Sequence, residues 1–173
     1  MDKKKPKTLI KKVVIAGLIV SVLDIVAAFT DAWLSFNVTP GIVLNGIAAG
    51  AIGNENANGS FLTMAFGLLI HFFIVYSYTF FLYLIYPFLK SVFKHNIIIG
   101  VLYGLFIWVT MRFIVLPVLS QVEFAPFRIV KAFKPMLILI GAIGIPLSLM
   151  MNRIIKLPEP SKKYFIEIEN PMK

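Results

Sequence analysis

Five side chains in a strongly apolar sequence have the chemistry of a binding or proton-handling site: Asp24, Asp31, Asn45, His71 and Arg112. Two of them interrupt the run LIVSVLDIVAAFTDAW at positions 18–33. A carboxylate beside an imidazole can share a proton near neutral pH, and a guanidinium can hold an anion. Gly17, Ser21, Asp24, Ala28 and Asp31 succeed one another at spacings of four, three, four and three, which draws one narrow stripe down a helix. Thr63, Gly67 and His71 share a side of a second apolar run, and Gly141, Gly144, Ser148 and Asn152 a side of the last. Gly100 and Gly104 lie broadly on the side of Arg112. Small residues at such intervals suit close contact between membrane helices, so the polar groups among them are expected to point inward.

The elements that must position these residues are membrane spans. The chain is 59% hydrophobic, against about 45–50% for a soluble domain, and its apolar residues gather into runs able to cross ~30 Å of hydrocarbon. Four spans are predicted, at about 13–34, 61–89, 97–119 and 136–151. Helices are expected because lipid offers backbone groups no partner, and the alternation of a barrel strand is missing. The fold class is an all-α integral membrane protein, a four-transmembrane-helix bundle. One membrane domain covers 13–152, after a basic segment at 1–12 and before a polar tail at 153–173. The first run has a basic start and an Ala27-Ala28 pair, as a cleaved signal would. Asp24 interrupts it, however, and it continues to Leu34, so it reads as a true span.

Two short helices are expected between the spans. Thr39 suits an N-cap and Pro40 a first helical position, which starts a Gly-rich helix over about 40–53. Its length covers only ~20 Å, so it either lies on the outer interface or re-enters the bundle. The Gly46-x-x-x-Gly50 spacing in it predicts close packing. An amphipathic outer helix is predicted over about 124–134, where Arg128, Lys131 and Lys134 alternate with Phe127, Val130 and Phe133. That pattern fits a helix in the headgroup layer, with anionic lipid as a partner. Pro117 and Pro146 predict bends in the third and fourth spans. The aromatic run YSYTFFLYLIY of the second span reads as a lipid-facing and packing surface.

A net charge of +9 could suggest nucleic acid, but its distribution excludes that reading. Thirteen of the 17 Lys and Arg residues fall in the N-terminal segment, the turn with Lys90 and Lys94, and the tail from Arg153. Three fall in the opposite segments, and Arg112 lies within a span. The positive-inside rule then puts both termini in the cytoplasm. Cysteine is absent, which removes disulfides, iron–sulfur clusters and thiol catalysis. No H-E-x-x-H, G-x-S-x-G or G-K-[ST] phosphate loop is present, so no enzyme is expected, and no cofactor or metal centre is called for.

Depth follows from a rise of 1.5 Å per residue. Counted from Phe36, Ser60 and Ser120, Asp24, His71 and Arg112 lie ~18, ~16 and ~12 Å beneath the outer boundary. An unpaired charge there costs at least ~2.5–3.5 kcal/mol, so Asp24 is expected to pair with Arg112, with His71 beside them. Asp31, at ~7–8 Å, can reach water. Two readings stand. The trio is a structural ion pair that fixes helix packing, or it is an outward-opening pocket. In the pocket, Arg112 would hold an anionic group while Asp24 or His71 exchanges protons. A metal bound by Asp24, Asp31 and His71 would use acceptable ligand types without a specific signature.

The segments PGIVLNGIAAGAIG at 40–53, GLLIHF at 67–72 and MRFIVLP at 111–117, together with Asp24 and Ala28, resemble small bacterial four-span inner-membrane proteins of unknown function. The resemblance covers roughly residues 14–150. It implies a bacterial inner-membrane setting and brings no activity with it. Because one four-helix bundle has little interior, the expected partners beyond the bilayer are further copies of the chain, or a membrane protein to which it is accessory.

Overall fold

In the computed structural model, which describes residues 6–119 and 129–155, every regular element is a helix. Helix α1 runs from Pro6 to Phe36. It begins seven residues before the expected span because Pro6 suits a first helical turn and the lysines that follow are good helix formers. Helix α2, Pro40–Ile52, follows Thr39 as expected, although the Thr39 hydroxyl makes no capping bond. Gly53, at φ +87°, ends it. Helix α3, Phe61–Val92, has 32 residues and is capped by Ser60, whose side chain accepts from the Thr63 amide. The described helices long and apolar enough to cross a membrane are Thr8–Phe36, Phe61–Val92, Asn96–Val115 and Phe133–Ile154. Only 22% to 33% of the most apolar stretch of each is buried. Most of every span therefore presents apolar surface that needs lipid, and the chain is a multi-pass helical membrane protein.

The third and fourth spans are each interrupted by a widened turn. Helix α4, Asn96–Thr110, passes into a π-helical stretch, Met111–Val115, where the Leu116 N–H reaches back five residues to Met111 O. The short α5, Leu116–Leu119, follows. In the same way α6, Ile129–Leu139, leads through Ile140–Gly144 into α7, Ile145–Ile154, with the Ile145 N–H on Ile140 O. Each stretch ends beside a proline, Pro117 or Pro146. Proline has no N–H for the carbonyl four residues back, and its ring crowds that carbonyl. Bonding to i−5 widens the ladder and lets the helix resume. Residues 129–134 of the expected amphipathic helix are the first turns of this fourth helix, while 124–128 lie outside the described residues.

Packing follows the glycines. A Cβ on Gly100 would lie 2.7 Å from Ile145 Cα, and one on Gly104 would lie 2.6 Å from Ile140 Cα. A Cβ on Gly144 would meet the Gly100 carbonyl oxygen and Gly104 Cα. The third and fourth spans thus touch backbone to backbone. Gly17 sits against the Tyr76 ring, and Tyr76 donates to Val14 O at 3.0 Å. At Gly67 a Cβ would strike the Leu44 carbonyl, so α2 lies directly on α3. The expected packing role of Gly46 is not what the structure shows: nothing lies within 4 Å of a Cβ placed there. The backbone of α2 is approached by a glycine of its neighbour, Gly67, and Gly41 of α2 lies against the Met64 sulfur. Around these contacts Leu82, Tyr86, Ile107, Leu147 and Met151 form a common core.

Gly144→Ala is expected to destabilise the protein by about 1–3 kcal/mol, because only backbone faces the new methyl group. Gly46→Ala should be neutral or stabilising by up to ~1 kcal/mol from helix propensity. Unfolding of both variants in detergent checks the pair.

Candidate functional site

The stripe on α1 faces α3. Ser21 is fully buried, and its carbonyl lies 3.1 Å from His71 Nε2. On the other side of the ring, His71 Nδ1 is 4.0 Å from Asp24 Oδ2. The two side chains are 10% and 14% exposed, so this is an acid–imidazole pair inside the bundle. Its geometry fixes a proton. A carbonyl only accepts, so Nε2 must carry a hydrogen and donate it to Ser21. A neutral ring would then turn the Nδ1 lone pair toward a carboxylate oxygen. The pair attracts only with a proton between them, on Nδ1 or on Asp24. At 4.0 Å the two atoms are beyond direct hydrogen-bond range.

Both side chains line a cavity of about 110 Å³, partly open and able to hold several water molecules. All four spans and α2 build it. Asp24 and His71 supply its ionisable groups, Ile74, Val75, Ile107 and Ile143 an apolar wall, and Ile47 of α2 adds to the lining. Tyr78, Met111 and Leu139 complete the lining. The two widened turns flank it, since Met111 opens one and Ile143 lies in the other. Tyr78 also joins the second span to the third. The single Thr110 hydroxyl proton goes to Phe106 O or Ile107 O, each at 3.0 Å, so Tyr78 donates to Thr110 Oγ1 at 2.7 Å.

The other sequence candidates are placed elsewhere. Arg112 is half-buried in the π-helical stretch and is not one of the residues lining the cavity. The described ion pair of Asp24 is the one with His71. Asp31 joins neither of them: it pairs with Lys134 and accepts from Ser35 Oγ at 3.0 Å. Among the described residues no three His, Asp or Glu side chains gather as a metal site would require. Lys134 is thus engaged with α1, Arg128 lies outside the described residues, and nothing is described of the Lys131 side chain. Asn45 holds a loop. Its Oδ1 accepts from the Gly59 amide at 2.9 Å and from Thr63 Oγ1 at 3.0 Å, and its Nδ2 donates to Ala57 O at 3.1 Å.

Sequence reasoning passed over Tyr78 and Met111. Tyr78 had a usable signal, because it stands seven residues after His71, two turns along the same face. Met111 had none, being one apolar residue among many. Comparison of the chain with protein-family models, with curated proteins and with solved structures gives no match.

Asn45→Ala removes three hydrogen bonds and is expected to cost about 1–2 kcal/mol locally. Hydrogen exchange should rise at the amides of residues 53–60 and stay unchanged in the spans.

Proposed function

We propose that the protein binds a small solute in this intramembrane cavity and that binding is linked to a proton held by Asp24 and His71. The observation that carries the reading is the position of the His71 ring, clamped by the Ser21 carbonyl on one side and held 4.0 Å from Asp24 on the other, at the wall of a cavity. Ionisable groups inside membrane helices are expensive and mark pathways or relays. A cavity with one carboxylate, one imidazole and apolar walls suits a small molecule with an amine or hydroxyl group on an apolar body. Among the described residues that line it there is no guanidinium, and the cation they would offer an anionic solute is a protonated His71. Movement of the solute across the membrane is the natural extension, with the two widened turns as the places where the third and fourth spans yield.

The lysines and arginines that gather where α1 starts, α3 meets α4 and α7 ends support placing that end in the cytoplasm. The resemblance to small bacterial inner-membrane proteins supports the same setting. A second reading rests on the bond from His71 to Ser21 O, which ties α3 to α1: the pair would then only fix helix packing, as in an accessory subunit.

Two variants separate these readings. Asp24→Asn keeps the shape of the lining, and the imidazole beside it can stay neutral, so no unpaired charge is left and the fold should persist within about 1–2 kcal/mol of wild type. An infrared titration of the protein in lipid nanodiscs should show a carboxyl signal that is lost in Asp24→Asn and shifted in His71→Gln. In proteoliposomes, wild-type protein should move protons in response to a screened panel of small amines and alcohols, and Asp24→Asn should not. Collapse of Asp24→Asn would establish the clamp, and a carboxyl signal indifferent to His71→Gln would sink the proton-linked site.

A further inference from the structure

We infer that a groove between α1 and α7 is a binding site for one anionic phospholipid, independent of the cavity around His71. The groove has a volume of about 240 Å³ and is lined by Lys12, Ile15, Met150, Arg153 and Ile154. Helix α1 leaves this end of the bundle and α7 arrives at it, so their residues order themselves by depth. Lys12 and Arg153 stand at the rim, and Ile15 and Met150 lie one turn deeper, ~5 Å toward the bilayer centre. Ile154, nearly buried, forms the floor. Two cations above an apolar slot match a phospholipid, whose phosphate would sit between Lys12 and Arg153 and whose acyl chain would follow Ile15. The apolar path continues along α1 through the exposed Ile19.

Charge complementarity selects the headgroup. The carboxylates among the described residues are Asp24, Asp31 and Glu55, and Asp24 is already ~18 Å deeper than Lys12. The described ion pairs are those of Asp24 with His71 and Asp31 with Lys134, so neither Lys12 nor Arg153 has a carboxylate partner among the described residues. Lys90 at the same end is different: it donates to Lys94 O at 2.7 Å and Asn96 Oδ1 at 2.6 Å. Basic pockets between spans on one face of a membrane are a recurring way to hold anionic headgroups. A free phosphate would use the two cations and leave the apolar slot empty, which is why a lipid is the occupant.

Native mass spectrometry of the delipidated full chain tests this with phosphatidylglycerol and phosphatidylcholine of identical acyl chains. Wild-type protein should retain one phosphatidylglycerol and release phosphatidylcholine. The double variant Lys12→Gln/Arg153→Gln should bind phosphatidylglycerol about thirtyfold more weakly, and each single variant should fall between. Lys11→Gln/Lys94→Gln removes equal charge from the same end and should change binding by about threefold or less. Both altered cations are exposed, and unchanged melting of the variants confirms that folding is intact. Should a variant fail that check, the wild-type preference for phosphatidylglycerol decides. Equal retention of the two lipids by wild type, an equal loss in the charge-matched control, or displacement of the lipid by excess inorganic phosphate would each overturn the site.

Discussion

Where Gly100 and Gly104 meet Gly144, two helix backbones touch without side chains between them. In lipid, apolar surface gives helices no reason to leave the bilayer for one another, so close packing and polar contacts must hold a bundle together. This contact joins the third span to the fourth directly beside the fourth span's widened turn, Ile140–Gly144. Ile143 and Ile107 are thereby set as facing walls of the cavity. The second span is bound differently, through Gly17 with Tyr76 toward α1, Gly67 toward α2, and Tyr78 with Thr110 toward the third span. The polar site lies where these two sets of contacts converge.

The site itself is economical in charge. One carboxylate faces one imidazole at 4.0 Å, and a backbone carbonyl orients the ring. The polar groups nearer the α2 end are used for structure instead. Asn45 ties the loop after α2 to the start of α3, and Asp31 with Ser35 and Lys134 ties α1 to α6. Among the described residues the buried Ser21 hydroxyl has no hydrogen-bond partner, although the carbonyl of the same residue orients His71.

Much of this was legible in the residues. Length and apolarity gave the four spans, and the spacing of Gly17, Ser21 and Asp24 identified the face of α1 that meets α3. Counting at a fixed rise put Asp24 and His71 in one layer, and they are neighbours. Arg112 follows Met111, which lines the same cavity, but is not itself among the lining residues, because a depth count does not give the direction of a side chain. The widened turn beginning at Met111 changes the phase from that point on, and proline announces a disturbance without stating its form. Gly46 misled for another reason. A spacing shows which residues share a helix face, but only the neighbour's position decides whether that face is touched. Gly67 on α3 does that work for α2.

The length of α3 has a consequence for how the protein sits in a bilayer. Its 32 residues extend ~48 Å, against ~30 Å of hydrocarbon. The excess obliges the helix to tilt or to carry its last turns into the headgroup layer. Asn96–Val115 has 20 residues and fits the hydrocarbon nearly upright. Helix α1, with 31 residues, carries nearly the same excess, so mismatch is shared by the two helices that hold Asp24 and His71. A thinner or thicker membrane would tilt these two together against the shorter third span, and the contacts strained first would be those of α3 with α4.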